Sequence, residues 1–125
     1  MNIFKSIFYF TNILLFIFYL YPGSLLGCIV NNDCDTQPQL TRDIIISSNH
    51  FFAFFFLSIY GFFLYSKKLK EIGFYLVFIS LLLEFLHLII PYREFSFSDI
   101  FGNLFGIFLS FLIVKLFIQL KNINT

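Results

Sequence analysis

Residues 84–106 read EFLHLIIPYREFSFSDIFGNLFG, and the reading of this stretch decides the fold. It sets Glu84 and His87 in an apolar run, interrupts the chain at Pro91, leaves Arg93 in a short connection and resumes an apolar run at Asp99 and Asn103. Proline cannot continue a helix and disfavours helical backbone in the residue before it. The stretch therefore predicts two apolar helices joined by a polar junction, and polar chemistry collects at the junction.

Outward from this stretch the chain is apolar almost throughout. It has 125 residues, of which 59% are hydrophobic and 12% charged, and a mean hydropathy of +0.89. That balance predicts a membrane protein, because so short a chain has too few polar groups to cover its apolar surface. Apolar runs at 3–21, 44–65, 72–90 and 99–120 each approach the roughly 20 residues that a helix needs to cross a bilayer. The expected fold class is an all-α membrane protein with four transmembrane helices in a small bundle, in one domain over 1–125. Lys5, the cluster Lys67, Lys68 and Lys70, and the tail lysines Lys115 and Lys121 fall on one side of this arrangement. By the positive-inside rule both termini are cytoplasmic. The loop 22–43 and the junction around Arg93 then face outward, and the expected location is the bacterial inner membrane.

Two features of the N-terminal third have more than one reading. Lys5, the apolar run and then Ser24, Leu25, Leu26, Gly27 and Cys28 imitate a lipoprotein signal peptide, although the run is long for a signal segment and a retained first helix is favoured. Cys28 and Cys34 are near enough in sequence to form a small disulfide loop, which a lipidated Cys28 would prevent.

An ionisable residue inside an apolar helix is costly and must face protein or water. Ser80, Glu84, His87 and Pro91 follow a 4-3-4 spacing that keeps them on one helix face. His50 leads a stripe continued by Ala53, Leu57 and Gly61. It lies at the depth of Glu84 if its helix starts at Ile44, and at the surface if the helix starts at Asn49. On the last helix Asp99, Gly102, Asn103, Gly106 and Ser110 share a face. Gly102, Gly106 and Ser110 allow close helix packing, and Asp99 suits the start of the helix. Three helices thus aim polar groups at one place, with His50, Glu84, His87, Arg93, Asp99 and Asn103 as the candidate ligand-binding residues.

The order Glu84, His87, Pro91, Arg93, Asp99, Asn103, Gly106 resembles the C-terminal signature of the VanZ-like family. SNHFFAFF around His50 and the turn at Pro22 and Gly23 resemble further segments of that family. His87 stands where the family has Gln, and Ile46 where it has an acidic residue. The resemblance implies a small membrane protein of the cell envelope, from a family named for a member linked to teicoplanin resistance and without an established activity. The expected function is binding of an amphiphilic or lipid-linked ligand in an outward polar pocket. Arg93 would contact its anionic group, and membrane lipid would be a further partner. An intramembrane hydrolase using metal or acid–base groups is the alternative, with catalysis disfavoured because Glu84 and His87 supply a single ExxH and no fuller motif. Proton-coupled transport would require self-association into a homo-oligomer. No cofactor or metal is assigned, and the absence of a basic stripe excludes nucleic acid as a partner.

Overall fold

The computed structural model describes residues 2–123. Among these, α1 (Ile3–Leu20), α2 (Leu25–Asn31), α3 (Ser48–Leu64), α4 (Leu69–Leu86) and α5 (Phe97–Ile123) pack together, and one 3-10 turn, Ser66–Lys68, joins α3 to α4. The inward faces follow from helical spacing. Phe8, Asn12, Leu15 and Tyr19 of α1 are buried, as are Phe54, Leu57, Ser58, Gly61 and Phe62 of α3. On α4 the buried set is Leu76, Ile79, Ser80, Leu83 and Glu84. On α5 it includes Asn103, Gly106, Ile107, Ser110 and Val114. Each set recurs every three or four residues, which turns one stripe of a helix to its neighbours.

The most extensive helix pairing is α3 with α5, and small residues permit it. A Cβ on Gly102 would stand 2.7 Å from the Ser47 carbonyl oxygen, and one on Gly106 would stand 2.6 Å from that of Phe51. The Ser110 hydroxyl bonds the Phe55 carbonyl across the same seam at 2.9 Å. Gly23, at φ +87°, makes the turn from α1 into α2, a conformation that costs other residues more.

The helix boundaries correct the four-span reading. The run at 44–65 starts its helix only at Ser48, because Asp43 accepts the Ser48 backbone N–H at 2.8 Å and the Ser47 N–H turns away to the Ser98 carbonyl at 3.2 Å. The run at 72–90 ends its helix at Leu86. Past it, the N–H groups of His87, Leu88 and Ile89 each reach back three residues rather than four, a tightening typical of a helix end. Pro91 therefore lies outside the helix whose face it was expected to share.

Among the described residues, two helices are long and apolar enough to cross a membrane, α1 near the N-terminus and α5, whose most apolar window is 39% buried inside the bundle. α3 is shorter, at 17 residues, and α4 carries Lys70, Glu71 and Glu84. The chain is thus a packed bundle of five helices rather than a four-span membrane bundle. The cytoplasmic placement of the termini, the inner-membrane location and the lipid partnership all rested on those four spans and are withdrawn with them. The outward faces keep many aromatic residues, among them Phe74 and Phe78, and the buried phenylalanines are Phe8, Phe54 and Phe62.

Candidate metal centre

Successive long helices run in opposite directions, so the C-terminal end of α1, the start of α3, the end of α4 and the start of α5 meet at one end of the bundle. Tyr19 lies in the last turn of α1. His50 is the third residue of α3, and Asp99 is the third residue of α5, with Asn103 one turn further on. Glu84 is in the last turn of α4, and His87 is its C-cap. The segment between α2 and α3 covers this end. Asn49 fastens it with two bonds, one donated to the Pro38 carbonyl at 2.7 Å and one accepted from the Leu40 N–H at 3.0 Å. His50 is therefore sheltered, with a side chain 14% exposed, although its helix begins close to the later of the two expected starts.

The hydrogen bonds determine where the ring nitrogens can carry protons. The Asn103 side-chain oxygen accepts from the Tyr19 hydroxyl at 3.2 Å and lies 3.2 Å from His50 Nδ1. An amide oxygen only accepts, so Nδ1 carries the hydrogen. In the neutral ring the lone pair is then on Nε2, which faces Asp99 Oδ2 at 3.6 Å. Two lone-pair-bearing atoms placed this way need a proton or a cation between them. Glu84 brings the third ligand atom, and one atom each from His50, Glu84 and Asp99 lie within 4.8 Å of one another.

A second histidine repeats the pattern behind the first. His87 Nε2 is 2.9 Å from the Tyr19 carbonyl, so it donates there, and Nδ1 is turned to Glu84 Oε2 at 3.4 Å. Both of these atoms are buried, and neither makes a hydrogen bond among the described residues. The other Glu84 oxygen accepts the Ser96 N–H at 2.9 Å, which ties the end of α4 to the start of α5. Burial lowers the pKa of His50, opposed by the nearby Asp99 carboxylate. Burial raises the pKa of Asp99, opposed by the His50 charge. Both shifts have the same cause, the loss of water around a charge.

A cavity of about 800 Å³ opens beside the site. His50, Asp99, His87 and Arg93 line its polar end, and Leu57 and Tyr60 continue its wall along α3.

The structure brings together His50, Glu84 and Asp99 of the six candidate residues. Asn103 stands behind His50, and His87 behind Glu84. Arg93 has another task, since it donates to the Phe18 carbonyl at 2.6 Å and the Tyr21 carbonyl at 3.1 Å. A cation there satisfies the end of α1 and suits its negative pole. Asp99 is in the first turn of α5, where its carboxylate meets the positive pole of the helix. Cys28 and Cys34 form a disulfide, and a Cys28 bonded in this way carries no lipid. Sequence reasoning missed Tyr19, which bridges Asn103 and stacks on the His87 ring at 6.1 Å between centroids. Its one available signal was a hydroxyl at the inward spacing Phe8, Asn12, Leu15, Tyr19. Asp43, the nearest acidic residue before His50 in the sequence, is engaged at the start of α3, where it accepts the Ser48 N–H.

No family model, curated protein or solved structure matches the chain. The resemblance to the VanZ-like family is therefore withdrawn, together with the link to antibiotic resistance. The expected function, an amphiphile-binding membrane protein of that type with an intramembrane hydrolase as alternative, depended on that family and on the four spans, and it is withdrawn as well.

Proposed function

We propose that the chain binds a divalent metal ion, with His50 Nε2, Asp99 and Glu84 as its protein ligands. The observation that carries this reading is the convergence of one imidazole and two carboxylates from three helices within 4.8 Å. One nitrogen and two oxygens suit a borderline first-row ion such as Zn²⁺ or Mn²⁺. Ligand bonds of about 2.0–2.2 Å require donor atoms around one ion to lie no more than about 4.3 Å apart. His50 Nε2 and Asp99 Oδ2 are already within that limit at 3.6 Å, and the set as a whole, at 4.8 Å, would have to close by about 0.5 Å around an ion.

Three further features favour a metal over two separate histidine–carboxylate pairs. Asn103 holds the distal nitrogen of His50, as outer-shell oxygens do for metal-bound histidines, which fixes the tautomer and the ring plane. The lowered pKa of His50 favours the neutral ring that a metal requires. The cavity leaves room for a water or a small ligand at a fourth position, with His50 and Asp99 in its wall.

The test uses the full chain, stripped with a chelator and equilibrated with Zn²⁺ or Mn²⁺ before the bound metal is counted by mass spectrometry. One ion per chain is expected in the wild type, and far less in His50→Ala and Asp99→Asn. Retention no greater in the wild type than in His50→Ala and Asp99→Asn would overturn the reading.

A further inference from the structure

An ion can take His50 as a ligand only through a bare Nε2, and the atom that decides this lies on the other side of the ring. A neutral imidazole carries one ring hydrogen, and the partner of one nitrogen fixes whether the other is free. Nδ1 faces Asn103. With the amide oxygen toward it, Nδ1 carries the hydrogen and Nε2 is bare. With the amide turned over, its amine donates to Nδ1, which must then be bare, and the hydrogen sits on Nε2. The two amide orientations have nearly the same shape, so packing alone does not choose between them.

Hydrogen bonding does choose, and Tyr19 supplies the choice. Asn103 is fully buried, and its Nδ2 has no hydrogen-bond partner among the described residues, so the amine side does not hold the amide. Its Oδ1 accepts from the Tyr19 hydroxyl at 3.2 Å. Turning the amide over would take that acceptor away and leave a buried O–H unpaired, which is costly. Tyr19 itself is fixed from several sides. Arg93 donates to the Phe18 and Tyr21 carbonyls beside it, and His87 Nε2 donates to its own carbonyl at 2.9 Å. Its ring meets those of His50 and Phe54 edge-on, at 4.8 Å and 5.8 Å between centroids.

We propose that Tyr19 is a positioning residue of the metal centre, whose hydroxyl holds the Asn103 oxygen toward His50 Nδ1 and thereby keeps Nε2 bare for the ion. This rests on the metal-binding reading above. Tyr19 supplies no ligand atom and acts through Asn103. Without the hydroxyl the amide turns over and its amine donates to Nδ1. By exchange with water the ring hydrogen leaves Nδ1 and one is taken up on Nε2, where it points at Asp99 Oδ2, 3.6 Å away. The ion then competes with a hydrogen for the same lone pair and binds more weakly.

The experiment compares the full-length wild type with Tyr19→Phe, which keeps the ring and the backbone carbonyl. Histidine ring nitrogens are labelled with ¹⁵N and read by NMR in the metal-free chain, at a pH where the rings are neutral, because the nitrogen shift tells a bare ring nitrogen from a protonated one. The wild type should carry the His50 hydrogen on Nδ1, and Tyr19→Phe should carry it largely on Nε2. Zn²⁺ affinity, measured by competition with a chromogenic chelator, should fall on the order of tenfold in Tyr19→Phe, the lower end of what outer-shell partners of a metal ligand contribute. In an Asn103→Ala background the same substitution should make no further difference, since residues that act through one contact are not additive. A wild-type ring with its hydrogen on Nε2, an unchanged tautomer in Tyr19→Phe, or an equal loss of affinity in both backgrounds would overturn the positioning role and leave the metal site standing. A tautomer that moves as expected in a chain that binds Zn²⁺ in none of these forms would overturn the metal reading and leave the hold of the hydroxyl on the ring.

Discussion

His50 is held through Nδ1 by Asn103 and faces Asp99 with Nε2, and its environment makes its protonation a statement about folding. Its pKa in the folded chain is below the ordinary 6.5, chiefly because burial penalises the charged ring. Between the folded value and 6.5 the unfolded chain binds the proton and the folded chain does not, so stability falls as pH falls through that window. The contribution is fully present above pH 6.5. Metal-free wild-type protein should therefore lose stability on acidification below 6.5 in chemical denaturation, and His50→Asn should lack that component of the loss. Asp99 has the opposite sign. With its pKa raised by burial, it favours the fold while protonated and costs stability as pH rises through the folded value. A bound cation offsets that cost, so ion binding and the ionised form of Asp99 support each other.

At the scale of the helices, the site depends on how closely α5 approaches α3. Gly106 is packed so tightly that an added methyl would meet backbone atoms of Phe51, Phe54 and Phe55, and backbone cannot move aside as a flexible side chain can. Gly106→Ala should destabilise the fold by about 1–3 kcal/mol, the usual cost of overpacking. It should also weaken Zn²⁺ binding, because α5 carries Asp99 and Asn103 while α3 carries His50. Gly73 in α4 is the control. A methyl there would meet the Phe62 ring at an ordinary 3.8 Å, so Gly73→Ala should be neutral or stabilising by up to about 1 kcal/mol through helix propensity. Thermal melts and metal titrations of the two variants should thus diverge. Equal behaviour would show that the α3–α5 seam does not position the ligands.

Across the whole molecule, the ligands come from three helices and α1 is joined to them through Tyr19 and Arg93. An ion bound at this point favours the assembled bundle over any state in which the helix ends separate. Free Zn²⁺ at about 100 times its dissociation constant should add about 2.7 kcal/mol of stability, a rise in melting temperature on the order of 10 °C for a chain of this size. Asp99→Asn should abolish most of that rise. The exposed pair Lys68–Glu71, 3.4 Å apart on the opposite end, should contribute little, as surface ion pairs generally do.

By itself the sequence determined the helical periodicity. The spacing of Glu84 and His87, of Asp99, Asn103 and Gly106, and of His50 and Leu57 is a property of the chain, so the inward faces and the aim of three helices toward one place could be read in advance. Helix ends could not be read in the same way. They depend on Asp43 capping Ser48 and on Ser47 bonding Ser98, contacts between residues that only the fold brings together. Hydropathy failed for a related reason: a window average records how apolar a run is, not whether a neighbouring helix covers it. The tertiary structure also decided which polar residues meet. It assigned Arg93 to the end of α1, placed Tyr19 between Asn103 and His87, and set the lone pair of His50 toward Asp99. Hydrogen-bond direction arises from three-dimensional partners, and no spacing along a chain encodes it.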